Sequence, residues 1–420
     1  MLDSGSSDLL IPGSTLPGYS GPSYDITANK TALSQTPIGG QFADSSSWSG
    51  LFFMDTVAVE EGQLGVESPF AVMMEQTVDP AVTDGSMSQG LLGIAFDSLA
   101  RSKSIQYFQG PFTLLSSLVT SNALSKDMLA FRACPADSNT PSLIDWGITD
   151  ASLTCPMPGT TDAVVLWTRV ISKSFYQVNV TRILLNNTEL RLPPTWQQNE
   201  SHSIFDSCTT ILQLPRSLFA TLLTAIRQSN AFASSFVASG QLDLFLQRGF
   251  GFQHLPVDLH KLPTLTFELE SADGVRGVRF SLPPDTYIQR TAGGVTYFTV
   301  GSLDAQGVMF GATVFDALYV VLDRGGGRVG LAPGCDCDEK IARGVPFAGV
   351  WLVEGDGSVA GDEVGSQENV NEEIVMADAL VTSPSPTQVH GGGLFGFLSG
   401  ATGTSMQVWL LSFVLCLLFY

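Results

Sequence analysis

One short acidic turn occurs twice in this chain, and each copy is followed by the same succession of features. The first copy is Asp3-Ser4-Gly5-Ser6-Ser7 and the second is Asp206-Ser207-Cys208-Thr209-Thr210. Apolar residues and a proline come next: Leu9-Leu10-Ile11-Pro12 in one case, Ile211-Leu212-Gln213-Leu214-Pro215 in the other. Further on, an apolar pair ending in glycine answers each copy, as Leu91-Leu92-Gly93 and Met309-Phe310-Gly311. A lone Asp-Ser-Gly is an ordinary turn sequence. An echo that keeps its order along the chain points instead to two related units, each lending one loop to a shared cleft.

The residue types in those loops suit one chemistry. Hydrolysis of a peptide needs a base to activate water and an acid to protonate the leaving amine. Two carboxylates held close cannot both ionise, so the pair keeps one proton and supplies both roles. Asp3 and Asp206 are the candidate catalytic pair. Gly5 and Cys208 can offer backbone N–H groups to the acids. The hydroxyls of Ser6 and Thr209 can hold the carboxylates, and those of Ser4 and Ser207 can bond across to the other unit's backbone.

The rest of the chain agrees with a β scaffold. Its 420 residues allow two or three domains, or one bilobal unit with extensions. Short apolar runs broken by Gly, Pro, Ser and Asn predominate, so the expected class is mainly β. Thr56–Val59, Tyr176–Val180 and Leu318–Leu322 read as strands, and a brief helix is expected around Leu218–Ile226 after Pro215. Acids outnumber bases by 40 to 20, a net charge of −20. Nucleic acid and bare anionic membrane are thereby disfavoured as partners, because phosphate binding needs a basic face.

Six cysteines occur without a Cys-x-x-Cys pair, and histidines number four, which argues against a structural zinc site. A small disulfide complement formed in an oxidising compartment fits better. Sequons at Asn29, Asn179, Asn186 and Asn199 point the same way and are candidate glycosylation sites. Eight acids without a Lys or Arg fall between Glu354 and Asp378, ahead of Ser383-Pro384-Ser385-Pro386, which reads as a solvated stalk. The 15 residues from Met406 to Tyr420 are apolar and chargeless. They are short for a membrane span of about 20 residues. A lipid-anchor signal and a transmembrane segment fit them equally.

The two loops resemble the Asp-Thr/Ser-Gly signatures of pepsin-like aspartic peptidases, and the likeness runs from Asp3 to about Asp338. Within that group the chain resembles most the membrane-anchored beta-secretase (memapsin) type. Three stretches carry the likeness: Ser203 to Phe219, Gly90 to Phe96, and Gly307 to Gly311 with Leu318 to Arg324 and Arg328 to Ala332. The resemblance implies an all-β, bilobal acid-protease fold with a β-hairpin flap over the cleft. It implies water attack without cofactor, metal or covalent intermediate, on an extended polypeptide bound as a strand. Phe42 to Gly50 is similar to the flap, with Phe42 and Trp48 as its candidate substrate-facing residues. Cys134 resembles the family cysteine that ties the start of the second lobe to the chain just after it. Its partner would be Cys335 or Cys337, and Cys155 could take the other.

These readings give an N-terminal lobe over 1–140, with the Asp3 loop, the flap and a missing first strand. A C-terminal lobe with the Asp206 loop covers 141–350, a stalk 351–405 and the apolar tail 406–420. The expected protein is a monomeric, membrane-tethered aspartic endopeptidase of the secretory pathway, at the cell surface or in endosome or Golgi. Four departures from the family pattern stand out. Phe42 replaces a tyrosine, Leu10 replaces a frequent tryptophan, and Cys208 replaces a glycine. The chain also starts two residues before Asp3, as a truncated gene model would. Phe42 and Cys208 keep a second reading open, a catalytically silent peptide-binding protein on the same fold. A third is an anchored surface glycoprotein that uses neither acid.

Overall fold

In a computed structural model, the structure describes residues 1–27, 31–42, 46–58, 65–77, 90–134, 140–156, 164–198, 201–291, 293–305, 307–335, 337, 349–353 and 408–409. It is two-lobed and mainly β, with few helices. The echo in sequence is an echo in topology. In the first half, Leu2–Asp3 pairs parallel with Leu91–Gly93. That strand runs antiparallel to Leu9–Pro12, which lies parallel to Val66–Thr77. In the second half, Ser203–Phe205 pairs parallel with Met309–Phe310. That strand is antiparallel to Leu212–Pro215, which lies parallel to Val300–Leu303. Asp3 therefore ends its short strand and Asp206 directly follows its own, at matching points of the same four-strand path.

The apolar pattern explains why these segments sit inside. Leu9, Leu10 and Ile11 are all buried, as are Leu91 and Leu92, because both faces of these strands are covered. After the second loop, the chain enters the helix Arg216–Gln228 with Pro215 at its N-cap position. Its Leu218, Leu222, Leu223 and Ile226 are buried, the spacing of one helical face. The expected helix is present and longer at both ends. Two further helices, Ser234–Ala238 and Gln241–Arg248, had no counterpart in the sequence reading.

A third sheet joins distant parts of the chain, in the order Leu143–Trp146, Met128–Arg132, Leu318–Asp323, Arg328–Pro333, Leu166–Arg169. Tyr319, Val320, Val321 and Leu322 on its central strand are fully buried. Beside it, the Arg324 guanidinium is buried with Asp127 at 2.9 Å and Asp97 at 2.9 Å. The disulfides Cys134–Cys337 and Cys155–Cys335 lie next to this sheet and resolve the pairing that the sequence left open. Most of the acidic stalk and of the apolar tail lies outside the described residues. From the tail, Val408–Trp409 pairs parallel with Val57–Ala58. Among the described residues no helix is long and apolar enough to cross a membrane.

Candidate active site

Each aspartate folds its own loop around its carboxylate. Gly5 N–H donates to Asp3 Oδ1 at 2.8 Å, an Asx-turn, and the Ser6 hydroxyl donates to Oδ2. The second loop repeats this. Cys208 N–H donates to Asp206 Oδ1 at 3.0 Å, and the Thr209 hydroxyl donates to Oδ2 at 2.7 Å. All six supporting positions named from sequence thus touch the pair or link the loops.

The link is reciprocal. Ser4 Oγ donates to the Phe205 carbonyl at 2.9 Å and accepts from Ser207 N–H at 2.8 Å. Ser207 Oγ donates to the Leu2 carbonyl at 3.0 Å and accepts from Ser4 N–H at 3.1 Å. Both serines are buried, so these bonds form away from competing water and fix one loop against the other. Gly5 marks how close the approach is. A Cβ there would stand 3.0 Å from Asp206 Cγ and both its carboxylate oxygens. Cys208, the counterpart of Gly5, keeps the N–H contact and is not at positive φ, so its backbone tolerates a side chain. Its Sγ lies 3.3 Å from Met1 Sδ, outside both disulfides.

The first aspartate sits in an environment that favours its neutral form. Asp3 is buried, and its pKa is pushed up from the usual 3.8 to about 7. Burial is the largest cause, followed by the Asp206 charge. The Ser6 hydroxyl and Gly5 amide pull the other way. A proton therefore stays on Asp3 well above the usual carboxylate range, beside a partner held by two donors of its own.

Backbone groups that the sequence could not single out complete the support. Ile94 and Ala95 N–H donate to the Asp3 and Ser6 carbonyls, each at 2.8 Å. Ala312 N–H donates to the Thr209 carbonyl at 2.7 Å.

The candidate flap is a hairpin. Ile38–Gln41 runs antiparallel to the start of Ser47–Ala58, and Phe42 N–H donates to the Ser46 carbonyl at 2.8 Å. Trp48 is buried and Phe42 half-buried in one apolar cluster with Leu10, Leu16, Phe52, Met73 and Leu91. Leu10 and Trp48 thus share the base of the hairpin, with a tryptophan ring supplied from the flap side. Of the sequons, Asn29 and Asn199 lie outside the described residues. Asn186 is exposed at a hairpin turn, and its Oδ1 accepts from Thr264 N–H. Asn179 differs. Its Oδ1 accepts from Ser201 N–H at 3.0 Å and its Nδ2 donates to Glu270 at 3.2 Å.

Two aspartates facing each other from matched loops, bridged by exchanged serine hydroxyls, define the two-carboxylate class of hydrolase site. The family comparison places the chain within that class. A family model described as "Eukaryotic aspartyl protease" matches residues 1–334, and the chain belongs to this family. Its relatives include a beta-secretase of Strongylocentrotus purpuratus, 24% identical over 352 residues. That match covers 79% of this chain and 63% of the relative, so the chain spans less than two thirds of that protein's length. Gastricsins of Callithrix jacchus and Homo sapiens are 23% and 22% identical over 344 and 343 residues. Each of these matches covers 79% of this chain and 76% of the gastricsin.

Proposed function

We propose that the chain is an aspartic endopeptidase in which Asp3 and Asp206 activate water against a peptide bond. The observation that carries the reading is the matched support of both carboxylates, together with the raised pKa of Asp3. The ionised member takes a proton from water as the oxygen attacks the scissile carbonyl, and the protonated member donates toward the carbonyl oxygen. Proton return to the nitrogen then lets the amine leave. The donors at Gly5, Ser6, Cys208 and Thr209 hold the carboxylates through both steps. The hairpin bearing Phe42 and Trp48 closes over an extended substrate, which pairs by its backbone.

The one-proton state of the pair sets the working range. It persists up to about pH 7, where Asp3 ionises. The test is cleavage of a peptide library between pH 3 and 8 with and without a statine-type inhibitor. Inhibitor-sensitive cleavage that fades near pH 7 is expected, and none at any pH refutes the reading. Phe42 and Cys208 favour a second reading, a silent peptide binder. Cleavage gained only after Phe42→Tyr and Cys208→Gly would support it.

The two disulfides suit the secretory pathway, and the apolar tail is proposed as the tether to its membrane. There, Asn186 is the described sequon open to a glycan, whereas the Asn179 amide is engaged at both ends. Site-resolved mass spectrometry after expression through a eukaryotic secretory pathway should find Asn186 occupied and Asn179 bare. The opposite pattern contradicts the assignment.

A further inference from the structure

Two side chains from far along the chain, Tyr176 and Arg324, reach behind the Asp3 loop. The fully buried Tyr176 hydroxyl donates to the Ile94 carbonyl at 2.8 Å. The buried Arg324 guanidinium reaches the next carbonyl, Ala95, at 3.5 Å. The N–H groups of these same two residues hold the loop at the Asp3 and Ser6 carbonyls. Ser6 passes the support on through its hydroxyl to the Asp3 carboxylate. The Tyr176 ring also packs on Phe96, with centroids 5.1 Å apart, and Phe96 N–H donates to the Ser174 carbonyl at 3.3 Å. Residues 94–96 are thus gripped by the loop on one side and by Ser174, Tyr176 and Arg324 on the other.

The second loop is supported differently. Its glycine segment runs straight into the helical turn Ala312–Phe315, whose four side chains are all buried. The first copy instead leaves Phe96 for the turn Asp97–Leu99, which buries no side chain. Both segments are buried, but the second is held through Thr313, which accepts from Leu212 N–H and donates to the Thr299 carbonyl, whereas the first is held by the Tyr176 hydroxyl and the Arg324 guanidinium from far along the chain.

We propose that Tyr176 is a positioning residue for Asp3, acting through Ile94 to hold the first loop in register with the second. Arg324 adds a weaker support through Ala95. The proposal deepens the catalytic reading above and rests on it. Tyr176 itself does not touch the carboxylates. Its hydroxyl remains a donor because burial holds its pKa far above the ordinary tyrosine value, with Arg324, Asp127 and Asp323 the charges that act on it.

Tyr176→Phe removes the one hydroxyl and keeps the ring on Phe96. A matched control is Tyr287→Phe, which removes a fully buried hydroxyl that donates to the Pro263 carbonyl. Both variants should lose similar Tm. Only Tyr176→Phe should lower kcat, by about tenfold, with KM within about twofold, the scale expected when a buried carbonyl loses its donor. It should also lower the pH at which activity fades, because a looser Asp3 admits water. An unchanged kcat and pH profile in Tyr176→Phe, or equal changes in Tyr287→Phe, overturns the proposal. If the unsubstituted chain cleaves nothing, the catalytic reading fails on its own. Carboxyl-detected NMR titration of Asp3 then decides the brace: a lowered midpoint in Tyr176→Phe upholds it and an unmoved midpoint ends it.

Discussion

Gly5→Ala tests the geometry of the site with a single carbon. The added Cβ would stand 3.0 Å from Asp206 Cγ and from both its oxygens. Ordinary contact at such a position begins near 3.4 Å, so Asp206 must give by a few tenths of an ångström. It cannot retreat freely, because Cys208 N–H and the Thr209 hydroxyl hold it at 3.0 and 2.7 Å. Ser207, one residue on, is tied to Ser4 and Leu2. A displacement of about 1 Å in a reacting group costs about a hundredfold in rate, so a shift of a few tenths should lower kcat by roughly three- to tenfold. Stability should change less. Overpacking costs about 1–3 kcal/mol, and loss of glycine freedom in the unfolded chain returns about 0.4–1 kcal/mol. The assay is kcat and KM on a fluorogenic peptide that the unsubstituted protein cleaves, with Tm measured in parallel. Cys208→Gly is the counterpart, since it keeps the N–H that bonds Asp206, and its kcat should stay within about threefold. A Gly5→Ala enzyme with unchanged kcat would refute the claim that the two loops meet as closely as argued.

Two further outcomes follow from the same contacts. Ser4→Ala strips the Phe205 carbonyl and Ser207 N–H of their shared partner, which should cost about 2–4 kcal/mol in urea unfolding. Adding Ser207→Ala should cost less than a second equal step, because the two hydroxyls form one network. Burial raises the pKa of Asp8 and of Asp145 to about 6. Each contribution to stability is complete below the ordinary 3.8 of an unfolded aspartate and is lost as pH rises through about 6. Unfolding free energy should therefore fall between pH 4 and 7, and Asp8→Asn should remove about 3 kcal/mol of that fall. A flat profile would contradict the burial argument.

What the sequence revealed and what it hid divide along a physical line. The Asp3 and Asp206 loops were legible because a tight turn around a carboxylate needs small and hydroxylated residues at fixed offsets, as at Gly5, Ser6 and Thr209. The strand Leu318–Asp323 and the helix after Pro215 were legible from short apolar runs and from the proline that precedes the helix. Disulfide pairing was not, because Cys335 and Cys337 are two residues apart and only the fold decides which faces Cys134. The Ile94 and Ala95 amides were also hidden, since backbone donors carry no side-chain signature. So was the brace from Tyr176, a residue that reads as one more apolar strand position. Asn179 and Asn186 carry equivalent triplets, and their difference lies wholly in neighbours far along the chain, Ser201, Glu270 and Thr264.

The central claim is that Asp3 and Asp206 act as one pair. The most direct measurement is peptide hydrolysis by Asp3→Asn, Asp206→Asn and the double variant, each checked for native Tm. Each single variant should lose activity to background, and the double variant should be no worse than either, as for groups that work as a unit. Inhibitor-sensitive hydrolysis surviving in either single variant would contradict the account.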